Sequence, residues 1–132
     1  MGFLMHESFE EGMALRSQRR LKAALGAFER AVDEEPRSAQ AWFWLAATLD
    51  NRAEESWAIP AYERALRLGL EGEDRVKALA WLASSRSKVG DHRAAMAALS
   101  KAEASGGYRP IEEFQRIAKS VRRRSETKSG LS

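Results

Sequence analysis

Three segments of this chain share one spacing of small and large apolar residues, and that spacing restricts the fold more than any other feature. They are AALGAFERAVDEEP (23–36), AIPAYERALRLGL (58–70) and AAMAALSKAEASGG (94–107). In each, an alanine is followed four residues on by a large apolar residue, and three residues later by a second alanine. The members are Ala24, Phe28 and Ala31; Ala58, Tyr62 and Ala65; Ala95, Leu99 and Ala102. Phe28 and Tyr62 are 34 residues apart, Tyr62 and Leu99 are 37 apart. Small residues one helical turn from a large one let a neighbouring helix approach while the large side chain fills the space between. A stack of helices needs that arrangement.

A partner helix precedes each segment. Trp42, Leu45, Ala46 and Leu49 form one stripe at helical spacing, and Leu79, Leu82 and Ala83 repeat it. Ser8, Glu11, Gly12 and Leu15 hold the matching places in the first unit. Short turns join the pairs: SQRR, DNRAEE and KVGDH, in which Gly90 suits a helix end and Asp91 the next helix start.

These residues resemble the tetratricopeptide repeat, a helix–turn–helix unit with the signature W-x2-L-G-x2-Y, then A-x3-F, then P. The second unit supplies Trp42, Leu45, Ala46, Leu49, Ala58 and Tyr62; the first supplies Gly12, Leu15, Ala24, Phe28, Ala31 and Pro36. The stretch from Ala58 to Ala95 also resembles small bacterial tetratricopeptide proteins in which two repeats share a GL-x-G-E connection. The resemblance implies an all-α, right-handed superhelical array of three units, at about 5–38, 39–72 and 76–107. Three departures stand out. Leu70 and Gly107 replace the closing proline, Arg86 stands where an aromatic residue or leucine is usual, and Pro60 falls inside a helix. The extra residues of the third unit fall in GLEGEDR, which reads as a loop.

Residues 108–124 read as a capping helix with Pro110 in its first turn and Ile111, Phe114, Ile117, Ala118 and Val121 on one face. Residues 125–132 read as a disordered tail.

The three adjacent aromatics of AWFWLAATLD (41–50) point about 100° apart on a helix, so they cannot share one core. The stripe assigns Trp42 to the core. The resemblance implies that the first helix of each unit lines a concave surface that binds partner peptides. Carried over, that surface shows Phe9, Met13 and Arg16, then Gln40, Phe43, Ala47 and Asp50, then Lys77, Ala80, Ser84 and Lys88. Trp44 and Trp81 flank it at matching places. Each of these two reads either as packing within the stack or as part of an apolar floor for a peptide or helix. Some family members clamp a terminal carboxylate with Lys and Asn; here those places carry Phe9, Met13, Trp44, Ala47, Lys77 and Trp81, which leaves apolar burial as the means of holding a partner. Trp57 lies outside the Ala58–Tyr62–Ala65 stripe, either under the preceding turn or on a second contact surface.

At 132 residues the chain is long enough for one domain, with 44% apolar and 31% charged residues. Without cysteine it has no disulfide or thiolate chemistry, and an intracellular, cytoplasmic location is expected. The start MGFLMHESFEE lacks a basic segment and a sustained apolar run, so it is no signal peptide, and His6 spoils a myristoylation signal. No apolar run reaches membrane-spanning length.

The two histidines stand apart and the carboxylate pairs fall at helix starts or on exposed faces. No phosphate loop, metal-ligand spacing or nucleophile motif is present. Catalytic residues, metals and cofactors are therefore not expected. Of the basic residues, Lys119, Arg122, Arg123, Arg124 and Lys128 crowd the C-terminus behind a slightly acidic body. So short a cluster disfavours a nucleic-acid partner, leaving as a further alternative a weak, salt-sensitive contact of this tail with nucleic acid or an acidic protein. The expected function is a protein–protein interaction module, an adaptor or scaffold. The alternative is self-assembly in which the C-terminal helix of the same or another copy fills the groove.

Overall fold

The computed structural model of the chain describes the backbone of residues 2–130 and the side chains of residues 7–126. His6 and Lys128 therefore have side chains outside the described residues. The described residues form seven helices and no strand. They fall into two compact units, Met1–Leu70 and Glu71–Ser132, where length had suggested one domain. Stacked repeats touch only their neighbours, so a helical array of this size need not close around one core.

The first unit contains α1 (Gly2–Ser17), α2 (Leu21–Glu34), α3 (Ala39–Asn51) and α4 (Glu55–Arg67). Helices α1 and α2 pair, as do α3 and α4, and α2 packs on α3. The alanine–large–alanine motif is what lets them meet. Ala24, Phe28 and Ala31 are fully buried, and so are Ala58, Tyr62 and Ala65. Gly12 of α1 is part of the same fit: a Cβ there would stand 2.6 Å from the Phe28 ring. Phe9 meets Phe28 edge-on at 5.9 Å between centroids. The Tyr62 hydroxyl, carried into the core, donates to Asp50 at 2.8 Å, which offsets the cost of burying it. Ser38 caps α3 by accepting from the Ala41 amide at 3.1 Å. Pro60 lies on the exposed side of an unbroken α4, where its missing N–H costs least.

The second unit contains α5 (Gly72–Lys88), α6 (His92–Ala104) and α7 (Ile111–Gly130). Ala95, Leu99 and Ala102 are again fully buried, and α7 packs on both α5 and α6 through Phe114, Ala118 and Val121. Helix α5 begins at Gly72 rather than near residue 76, so most of GLEGEDR extends the helix instead of forming a loop. Glu73 and Asp74 in its first turn favour that extension, being anionic at the positive end of the helix dipole. Arg86 causes no break: it donates to Asp91 at 2.9 Å, and Asp91 also accepts from the Ala94 amide to start α6. Helix α7 runs on to Gly130, so the tail expected from residue 125 is helical to that point, and residues 131–132 lie outside the described ones.

Candidate functional site

The three neighbouring aromatics of α3 resolve in an unexpected order. Phe43 is fully buried, 4.9 Å from Trp44 and 6.4 Å from Tyr62 between ring centroids. Trp42 is half-buried instead of central; its indole N–H donates to the Pro36 carbonyl at 2.8 Å, and Arg64 lies 5.9 Å over its ring. Reading one stripe from α3 assumed one covered face. In the fold α3 is packed against α2 and α4 and touches α1, so Ala41, Phe43, Leu45, Ala46, Ala47, Thr48 and Leu49 are all buried. Phe43 and Ala47 are thus core residues, not part of a partner-binding surface.

The other residues expected on that surface in the first unit keep some exposure. Phe9, Met13 and Arg16 recur along one face of α1 and are half-buried. Arg16 bridges to α3: its guanidinium sits 5.2 Å over the Trp44 ring and donates to Thr48 Oγ1 at 3.3 Å. Thr48 in turn donates to the Trp44 backbone carbonyl at 2.8 Å, which orients the hydroxyl that receives Arg16. Burial pushes the Arg16 pKa below its ordinary value, against the opposing pull of Tyr62 and Asp50. Gln40 is exposed and Trp44 half-buried on the same helix. Phe9 and Met13 on α1 and Trp44 on α3 are thus partly exposed apolar side chains, with the Arg16 guanidinium held over the Trp44 ring.

In the second unit Trp81 is half-buried and engaged within the unit. Its indole donates to the Tyr108 hydroxyl at 3.1 Å, and the two rings meet edge-on at 6.2 Å. Tyr108 donates to Glu113 at 2.5 Å and packs on Phe114. Lys77 lies 5.8 Å over the Tyr108 ring and 3.7 Å from Glu73. Ser84 is half-buried, its carbonyl accepting from Ser87. Sequence reading missed Tyr108, whose signal was its place directly after Gly106 and Gly107. Its burial and its hydrogen bond to Glu113 push the phenol above its ordinary 10.0, partly opposed by the Trp81 N–H. A group raised in the folded state contributes stability that is complete below its unfolded pKa and is lost as pH rises beyond it. The second unit should therefore hold its melting temperature up to about pH 10 and lose it progressively above that. Tyr108→Phe should flatten that decline in thermal melts; an unchanged slope would remove Tyr108 as its source.

The basic run is mostly consumed in holding α7. Arg122 makes a two-pronged ion pair with Glu103 at 2.5 and 2.6 Å, and Arg124 donates to Ser87 at 2.8 Å. Arg123 is exposed, and Arg122 and Arg124 are half-buried. The buried apolar side of α7 is likewise used inside its own unit rather than offered to a groove. Among the described residues no cluster of acidic or histidine side chains could hold a metal, and no helix is long and apolar enough to cross a membrane.

A family model described as Tetratrico peptide repeat matches residues 39–121, more than half of the chain. A search of curated proteins gives no significant match. Solved structures give many. The chain is similar to the TPR domain of Sgt2 from Aspergillus fumigatus at 19% identity and a TM-score of 0.77, covering 95% of this chain and 81% of that one. It is similar to the TPR2B domain of yeast Sti1, in a complex with pHsp70, at 18% identity and a TM-score of 0.75, covering 90% and 96%. A third likeness is to the first TPR of Spaghetti (RPAP3) bound to the HSP90 peptide SRMEEVD, at 13% identity and a TM-score of 0.73, covering 89% and 92%.

Proposed function

Because the chain belongs to the tetratricopeptide repeat family, we propose that it is a protein–protein interaction module without catalysis of its own, holding an apolar peptide or helix of another protein on the α1–α3 face. The observation that carries this reading is the pinned Trp44 ring. Arg16, itself held by Thr48, stands over it, so this part of the surface is organised before a partner arrives. Rigid aromatic anchors next to arginine are the residues that dominate binding energy at protein interfaces. Neighbours of the same fold hold an HSP90 peptide and form a complex with pHsp70, which gives the reading precedent. An acidic tail of that kind is not the proposed ligand, since Phe9, Met13 and Trp44 occupy clamp places where a carboxylate would require Lys or Asn.

Met13→Arg tests the proposal. Met13 is half-buried and outside the core, so helicity and melting should stay close to those of the unaltered chain. A photo-cross-linker at position 13 should trap a defined protein in the native host, and Met13→Arg should abolish its co-purification. Equal recovery of the same protein by both chains would refute the α1–α3 face as the site.

A further inference from the structure

The outer side of α4 carries an apolar surface that the α1–α3 reading does not use. Trp57 is 70% exposed, an unusual state for the largest apolar side chain. Beside it opens a cleft of about 800 Å³, floored by Leu25, Trp42, Leu45, Leu49, Pro60 and Ala61. A projecting indole and a hollow thus stand on one surface of the same unit. Neither Phe9, Met13, Arg16 nor Trp44 lines this cleft.

Charge along α4 adds a second constraint. Trp57, Pro60, Arg64 and Arg67 follow one another at steps of three, four and three, so they form one stripe, and all are exposed. Glu54, partly exposed and paired with Arg52 at 2.7 Å, stands at the N-terminal end of that stripe, and Arg64, 5.9 Å over Trp42, and Arg67 stand at the other. Glu54 and Arg67 are placed symmetrically about the Pro60–Ala61 bond, and Trp57 and Arg64 are placed symmetrically about the same bond. A two-fold axis through that point, laying α4 antiparallel to its copy, sets each Glu54 against the partner's Arg67. It also sets each Trp57 against the partner's Arg64. Opposite charges meet twice and an aromatic ring meets a guanidinium twice, while each indole enters the other copy's hollow. A surface that complements itself under a two-fold rotation is what a symmetric dimer requires.

We infer that the outer face of α4 is a homodimer interface, with Trp57 inserting into the Trp42–Pro60 cleft of a second copy. The occupant is this chain rather than an unrelated protein because the knob and the opposite charges come from one stripe with one centre, and the hollow opens beside that stripe. One helix face is smaller than a permanent interface, so the dimer forms reversibly with concentration.

Sedimentation equilibrium of the full chain from about 1 to about 500 µM should show monomer passing to dimer. Trp57→Ala should raise the dissociation constant at least about tenfold, with far-UV helicity unchanged. Glu54→Arg alone and Arg67→Glu alone should each weaken the homodimer by setting like charges together. Mixing those two chains should restore a dimer made of one of each, and the double variant Glu54→Arg/Arg67→Glu should again pair with itself. Met13→Arg should leave the dimer intact, which separates this interface from the α1–α3 face. A monomer at every concentration, a dimer indifferent to Trp57→Ala, or a mixture that stays unpaired would each overturn the assignment. So would a hollow that proves to take another protein while the chain stays monomeric.

Discussion

Phe43→Arg is expected to unfold the first unit rather than to strip a binding surface. Phe43 is fully buried against Trp44 and Tyr62. Truncating such a ring costs roughly 3–5 kcal/mol, and an arginine also brings a buried charge without a partner, for several kcal/mol more. The sum rivals the whole stability of a typical domain, about 5–15 kcal/mol. Circular dichroism should show loss of helix and of the cooperative transition, whereas Phe43→Leu should lower stability by only about 1 kcal/mol. A Phe43→Arg chain melting within a few degrees of the original would mean that the ring is accessible after all.

The second large effect comes from adding a single methyl group. In Gly12→Ala the new Cβ would lie 2.6 to 2.8 Å from three atoms of the Phe28 ring, too close for any real contact. Alanine is the better helix former by up to about 1 kcal/mol, so on an isolated helix this change would stabilise. Here the ring is enclosed and cannot swing away, and overpacking costs about 1–3 kcal/mol, so a net loss is expected. Phe28→Leu in the same chain should recover part of it, giving a favourable coupling in a double-mutant cycle read by urea denaturation. Additive losses would show that the two positions do not touch.

The repeat was legible because it is a statement about volume. Nine positions spaced as alanine, large residue, alanine are all fully buried. The aromatic run was not legible, because helical periodicity identifies one covered face and α3 is covered on several. Trp42 and Phe43 consequently exchanged roles. Arg86 looked like a flaw until Asp91, five residues on, supplied its partner. The basic run posed the same difficulty at longer range. Glu103 lies 19 residues from Arg122, and Ser87 lies 37 from Arg124. Local charge density shows what a segment could attract, not what the fold has already placed beside it. Trp57 stays open in the sequence between the preceding turn and a second surface, because its absence from the Ala58–Tyr62–Ala65 stripe fits both, and in the fold it is 70% exposed.

Gly12 and Phe28 also bear on how such a chain can change over generations. Neither can vary by itself: enlarging the first or enlarging the second breaks the same fit, and shrinking the second leaves a hole. Substitutions here should be viable chiefly as paired exchanges, one side growing as the facing side shrinks. A lineage would then cross from one solution to another through a destabilised intermediate, and the exposed arginines and glutamates would drift far faster than this silent, closely matched pair.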